Sequence, residues 1–469
     1  MKHYSSYGFA LAAVLLMAGT LAAQTSTGTV VAFDSPTAGD SVATSPDTTA
    51  SATEDAMAAS TAPAIRIQYF RPQDQRGINV FEPPKAAGAP YNGFQLDWGA
   101  AFTQQFQALD HGNAAAERLV GDIDANSLID IGPGFNNAAA NLYLNAQLAP
   151  GIRVALTTYL SSRHHPEAWV KDGYLLVDES PLKVKALEDL MDYVTLRVGH
   201  FEVNYGDAHF RRSDNGNAVY NPFVGNYILD AFTTEIGAEA YLRDGPFLAM
   251  AGITGGEIRG GVTRPDDRGF AYLGKLGVDQ QVSTDLRVRL TGSVYTTGKS
   301  ISNTLYGGDR AGSRYFMVME NTQATESAQF TSGLINPGLR NEVTAFQLNP
   351  FVKYRGLELF GVLEQAEGRA ANEAADRSWN QYAADVVYRF LPQEQLYVGG
   401  RYNVATGPLQ GMTTDVRVDR VQFGAGWFVT PNLLLKGEYV TQGYDDFPLA
   451  DIRHEGEFDG LMIEGVVSF

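Results

Sequence analysis

YVTLRVGHFEVNYGDAHFRRSDNGNAVYNPFVGNYILDAF, residues 193–232, is the stretch whose reading decides the fold. It begins as an alternating strand, breaks at Gly206 and continues as a loop dense in Asp, His, Arg and Asn. Successive strand side chains point to opposite faces, so Val194, Leu196 and Val198 share one face while Thr195 and Arg197 share the other. The apolar pattern then passes to Phe201 and Val203, which predicts a β-bulge near Gly199 and His200. From Phe232 onward the alternation resumes. A polar loop of this kind, slung between two long strands, is how a wide β-barrel narrows its own interior.

The same alternation recurs from Gly93 to the C-terminus. Over residues 420–430, Val421, Phe423, Ala425, Trp427 and Val429 make an apolar face against Arg420, Gln422, Gly424 and Gly426. Over 286–295, Leu286, Val288, Leu290 and Val294 oppose Arg287, Arg289, Thr291 and Ser293. Such segments predict sixteen strands, starting near Phe94, Ala138, Ile152, Ala168, Tyr193, Ala231, Pro246 and Gly269, then near Leu286, Val343, Gly356, Ser378, Gln395, Val416, Leu433 and Glu457. Their connections alternate in length. Pro150-Gly151, Asp244-Gly245, Arg355-Gly356 and Pro431-Asn432 are tight turns, whereas 110–137, 206–230, 299–342 and 444–456 are long. Residues 179–192 sit on the short side and predict a small amphipathic helix. This is the pattern of an all-β chain forming a transmembrane antiparallel β-barrel of about 16 strands. A soluble sandwich does not require it.

Composition agrees. Of 469 residues, 49 are Gly, 11% are aromatic and only 19% are charged, which suits strands and aromatic girdles. A net charge of -18 argues against nucleic-acid binding. The absence of Cys excludes disulfides and thiolate metal sites. Lys2 and His3, an apolar run over 9–21 and small residues to Ala23 read as a Sec-type signal peptide over 1–23. Residues 24–64, rich in Ser, Thr, Ala and acidic residues without Lys or Arg, read as a disordered linker. Residues 65–92 regain aromatics and Arg and read as a periplasmic segment near the barrel base. The barrel itself is 93–469. Leu461, Ile463, Val467 and the terminal Phe469 make an apolar closing strand that matches an assembly signal for the bacterial barrel-insertion machinery.

On these strand phases the barrel interior receives Arg197, Arg287, Arg289, Arg401 and Arg420, with Glu235 and Glu239. Arg153, Lys353, Arg389, Lys436, Glu358, Glu364, Asp385 and Glu438 share that face. An Arg or Lys facing lipid near the bilayer midplane would cost ~2–4 kcal/mol, so a polar interior is where these charges belong. In the loop, Asp207, His209, Arg211, Arg212 and Asp214 are placed for a constriction. Tyr220, Phe223, Tyr227 and Ile228 are its anchors to the wall.

Residues 170–177 (VKDGYLLV), followed by 196–206 (LRVGHFEVNYG), resemble a strand pair of the phosphate-selective (O/P-type) porins. The resemblance implies a sixteen-stranded pore in the bacterial outer membrane, commonly a homotrimer, whose third outer loop folds inward. Here that loop is 206–230. The family's arginine path finds no residue-by-residue match, so the reading is a water-filled channel for small hydrophilic solutes, with an anion- or phosphate-selective porin as the alternative. A second alternative is an adhesin or structural barrel that uses the polar loop 299–342 to bind an outside partner. Enzymatic chemistry has poor support. Asp207 with His209 is the best acid–base pair, and His164 and His165, adjacent at a strand–loop junction, point apart and make a poor metal pair. No cofactor or metal is expected.

Overall fold

The computed structural model describes residues 70–83, 85, 91–164, 167–255, 264–309, 312–326 and 331–469. The expected signal peptide and linker lie outside the described residues.

Sixteen antiparallel strands close into a barrel. They are β1 (Gln95–Gly112), β2 (Gly134–Ala149), β3 (Ile152–Ser161), β4 (Trp169–Val177), β5 (Val194–Glu202) and β6 (Thr234–Asp244). Next come β7 (Phe247–Thr254), β8 (Ala271–Gln281), β9 (Leu286–Thr297), β10 (Glu342–Tyr354) and β11 (Leu357–Arg369). The last five are β12 (Arg377–Phe390), β13 (Leu396–Pro408), β14 (Asp415–Thr430), β15 (Leu433–Asp445) and β16 (Gly456–Ser468). Each strand pairs with its sequence neighbours, and β1 closes the ring against β16, from Ala101 opposite Ser468 to Gly112 opposite Glu457. Closure leaves no open edge, the condition for spanning a bilayer with strands. Phe469 extends the seam: its N–H donates to the Ala100 carbonyl and its carbonyl accepts from the Ala100 N–H, both at 2.9 Å.

The barrel is apolar outside and polar inside. On β14, Phe423 is 61% exposed on the outer wall, while Arg420 and Gln422 are fully buried inside. Trp98, Leu142, Leu276, Phe346 and Tyr382 also stand exposed on the outer surface. Such an exterior is stable only against lipid. The connections obey the expected two-ended pattern, with tight turns at one end and long loops at the other. The helix expected on the short side is α1 (Lys185–Met191), between β4 and β5.

One expectation is corrected. Both ladders of β5 run through Gly199 without a register shift. Phe201 lies on the inner face with Arg197, whose guanidinium sits 4.3 Å over its ring. The apolar residue faces inward because the interior at this level is packed with chain. Gly199, at φ +141, is required because a Cβ there would strike the Gly173 carbonyl and Tyr174. The bulge lies on the neighbouring strand. β3 pairs Thr157 with Asp172 and Thr158 with Val170, so Lys171 is the extra residue and turns inward beside Asp172.

Candidate functional site

Between β5 and β6 the chain leaves the wall and crosses the barrel interior. Residues 211–213 and 215–230 are buried throughout. At its start the Gly206 N–H donates to Ser293 Oγ (2.8 Å) and the Asp207 N–H to Asn349 Oδ1 (2.8 Å), on β9 and β10. The turn at Asn215-Gly216 reaches the far wall, where Asn215 Nδ2 and the Gly216 N–H both donate to Asn141 Oδ1. A Cβ at Gly216 would meet Ala140 and Ala101 backbone at 2.5 and 2.7 Å, so only glycine fits this approach. Lys436 Nζ then donates to the carbonyls of Ala218, Asn221 and Phe223, and Glu438 accepts from the N–H groups of Val224 and Gly225. Finally, the Ile228 N–H meets Asn403 (2.7 Å) and the Leu229 N–H meets Gln381 (2.8 Å). The buried backbone finds its partners on wall side chains, as a loop inside a protein must. Tyr220, Phe223, Tyr227 and Ile228 are all buried.

The structure holds the five loop residues at separate partners, and of them Arg212 and Asp214 face each other at 3.5 Å. Asp207 lies 2.8 Å from Arg289 and 2.7 Å from Lys275. Arg211 meets Glu358 at 3.4 Å, and Arg212 meets Asp230 at 2.6 Å. Asp214 lies 3.0 Å from Lys171 and accepts a hydrogen bond from the Tyr159 hydroxyl. His209 sits between Glu202 (3.1 Å) and Asn204 (3.0 Å) and makes no pair with Asp207. Burial lowers its pKa, and the neighbouring carboxylate of Glu202 opposes that shift.

Arg197, Arg287, Arg289 and Arg401 on the wall pair with carboxylates in the same way. Arg197 Nε reaches Glu239 at 3.0 Å, Arg287 reaches Asp279 at 2.7 Å and Arg401 reaches Asp385 at 2.6 Å. Arg420 donates to Gln442 (2.5 Å) and the Asn226 carbonyl (2.6 Å), and Glu235 accepts from Tyr295 (2.6 Å). Buried ion pairs of this type add little net stability, yet removing one partner strands the other.

Two further pieces of chain occupy the interior. Much of 299–342, expected as a polar outer loop, is turned inward: Leu305, Tyr315 and Val318 are fully buried. The Tyr306 hydroxyl donates to Glu364, and the Tyr315 hydroxyl to Glu438, each at 2.7 Å. The second piece enters from the short-turn end. In residues 70–83 the Gln75 N–H donates to the Pro431 carbonyl (2.9 Å), and Asn79 Nδ2 donates to Glu358 (2.6 Å). Arg71 stacks 3.4 Å over the Tyr220 ring, and Glu82 lies between Arg289 and Lys275. A cavity of about 250 Å³ lies against β2–β6, lined by Arg71, Lys171, Asp172, Tyr174, Arg197 and Tyr241 among others.

Sequence reasoning missed Glu82, Lys275, Lys171 and Glu202. The aromatic and arginine content of 70–83, unlike the tail before it, was the one available signal for the segment. Lys171 was hidden because a bulge reverses the phase by which inward residues are counted.

No family model and no curated protein matches the chain. Solved structures do. An anion-selective porin from Comamonas acidovorans aligns at 12% identity over 80% of this chain and 100% of that one, with a TM-score of 0.50. OmpT, an outer membrane protein of Vibrio cholerae, aligns at 12% identity over 81% and 98%, with a TM-score of 0.47. OprB of Pseudomonas putida aligns at 12% over 80% and 94%, also with a TM-score of 0.47. At this identity the likeness is one of fold.

Proposed function

We propose that the chain is a porin of the bacterial outer membrane, a channel for passive diffusion of small hydrophilic solutes or ions. The observation that carries this reading is a closed barrel with a lipid-compatible exterior and an ionic interior, crossed by its own loop. The short-turn end faces the periplasm, and 65–92 belongs to that side. Asp207, His209, Arg211, Arg212 and Asp214 form the constriction. Arg197, Arg287, Arg289, Arg401, Arg420, Glu235 and Glu239 line the lumen wall. Phe469 is the assembly signal, and the resemblance to phosphate-selective porins makes a homotrimer the expected assembly.

The electrostatics favour general diffusion over phosphate selectivity. Each loop arginine faces a carboxylate, so the constriction offers no uncompensated ring of positive charge. A surface adhesin is disfavoured because the loop it would use is largely committed to the interior. Catalysis is disfavoured because Asp207 and His209 are each held by other groups.

The test is a planar-bilayer recording of the purified protein. Stepwise ionic conductance with weak ion preference in a salt gradient is expected. A silent bilayer sinks the porin reading, and block of the current by millimolar phosphate would restore the phosphate-selective alternative.

A further inference from the structure

Residues 70–83 do more than fill space. Phe81 and Glu82, adjacent in sequence, dock as a pair into one pocket of the inner wall. The Phe81 ring stands edge-on to Phe210 and Phe351, with centroids at 5.6 and 5.4 Å, and the Arg289 guanidinium lies 4.3 Å over its face. The Glu82 carboxylate reaches Arg289 at 2.6 Å and Lys275 at 2.8 Å, and accepts from Asn204 Nδ2 at 2.9 Å.

Glu82 supplies one of the three carboxylates that face the cations of this pocket. Lys275, Arg287 and Arg289 are cations paired there and Arg243 donates to the Glu82 carbonyl; Asp207 and Asp279 are the other carboxylates. Asp279 is fixed on β8, and Asp207 belongs to a loop anchored to the wall at both ends. Glu82 belongs to a segment that precedes β1 and, among the described residues, pairs with no strand, so it can withdraw without breaking a strand pair. Its departure leaves four cations facing two carboxylates, beside two aromatic rings and an amide donor. Uncompensated positive charge in a buried site favours binding of an anion.

We propose that residues 70–83 are a displaceable plug whose Phe81 and Glu82 occupy the lumen's own site for small aromatic carboxylates, and that such solutes compete with the segment for Lys275 and Arg289. Conduction through the vacated site rests on the porin reading; binding at the site does not.

The chain has no cysteine, so a single Val80→Cys substitution in the full-length protein gives a clean reporter. Its rate of reaction with a membrane-impermeant maleimide is measured in benzoate and in sodium chloride of equal ionic strength. Benzoate is expected to raise the rate several-fold over chloride, and adding Glu82→Gln to raise it in chloride alone. Rates indifferent to both overturn the proposal. In bilayers, deletion of 70–83 is expected to raise conductance several-fold and shift the reversal potential toward anions, with benzoate reducing the current in a saturable manner. Unchanged conductance and selectivity overturn the plug. If neither chain conducts while benzoate still raises labelling, the porin reading falls and the binding site stands.

Discussion

Arg401 and Asp385 face each other in register on β13 and β12 and lock in a two-pronged ion pair at 2.6 and 2.9 Å. The same pair holds the crossing loop, because Asp385 also accepts from the Tyr227 hydroxyl (2.9 Å) and Arg401 donates to the Gly225 carbonyl (3.2 Å). A wall interaction therefore doubles as a clamp on the lumen. Arg401→Ala strands a buried carboxylate and is expected to cost about 3–5 kcal/mol. Tyr227→Phe removes one hydrogen bond and is expected to cost about 1 kcal/mol. Urea unfolding in detergent micelles checks both, and equal effects would argue against the clamp.

Arg212→Ala removes the guanidinium that bridges Asp230 (2.6 Å) and Asp214 (3.5 Å) inside the loop. The loop is then held by the wall without its internal brace. Single-channel recordings are expected to show larger current fluctuations than the parent, together with altered conductance. An unchanged trace would remove Arg212 from the constriction.

Burial alone would raise the Glu82 pKa, but Arg289 and Lys275 overcome it and hold the carboxyl well below its usual value near 4.5. Asp207 faces the same cations and opposes them, and His209 and Arg243 lie close by. A depressed folded-state pKa contributes stability above the ordinary glutamate pKa, and that contribution is lost only as pH falls through the depressed value. Docking of 70–83 is thus expected to be constant from neutral pH to below about 4.5, then to fail in stronger acid. Maleimide labelling of Val80→Cys across pH 3–8, each rate divided by that of a free cysteine peptide at the same pH, reads this. Release near pH 6 would point to His209 instead.

Deleting Phe469 removes two hydrogen bonds to Ala100 and the edge-on contact with the Trp98 ring, 6.1 Å between centroids. Assembly into the membrane is expected to slow, and the assembled barrel to lose about 1–2 kcal/mol. Heat-modifiable gel mobility of the folded fraction over time measures it. Normal kinetics would leave Phe469 as an ordinary seam residue.

The barrel was legible because its physics is local. Arg420 against Val421, or Arg289 against Leu290, declares a face at every second residue, and a lipid exterior tolerates few exceptions. The interior was less legible because its partners are remote in sequence. Nothing near Arg211 announces Glu358, and nothing near Glu82 announces Arg289. Polar content misled over 299–342, since a loop plugging an ionic lumen needs the same residues as one facing water. Phase counting failed at Lys171, where a single bulge exchanges inside for outside.

The seam between β1 and β16 joins the first and last strands of the wall. Contacts so distant along a chain form late, because the intervening loop entropy must be overcome first. The crossing loop lies between β5 and β6, well before that final pairing. Its bonds to Asn141 on β2 and to Lys436 and Glu438 on β15 span the unfinished gap from both sides. In the finished barrel the loop thus ties together the strands on either side of the seam, so the last pairing is braced from within as well as along the wall.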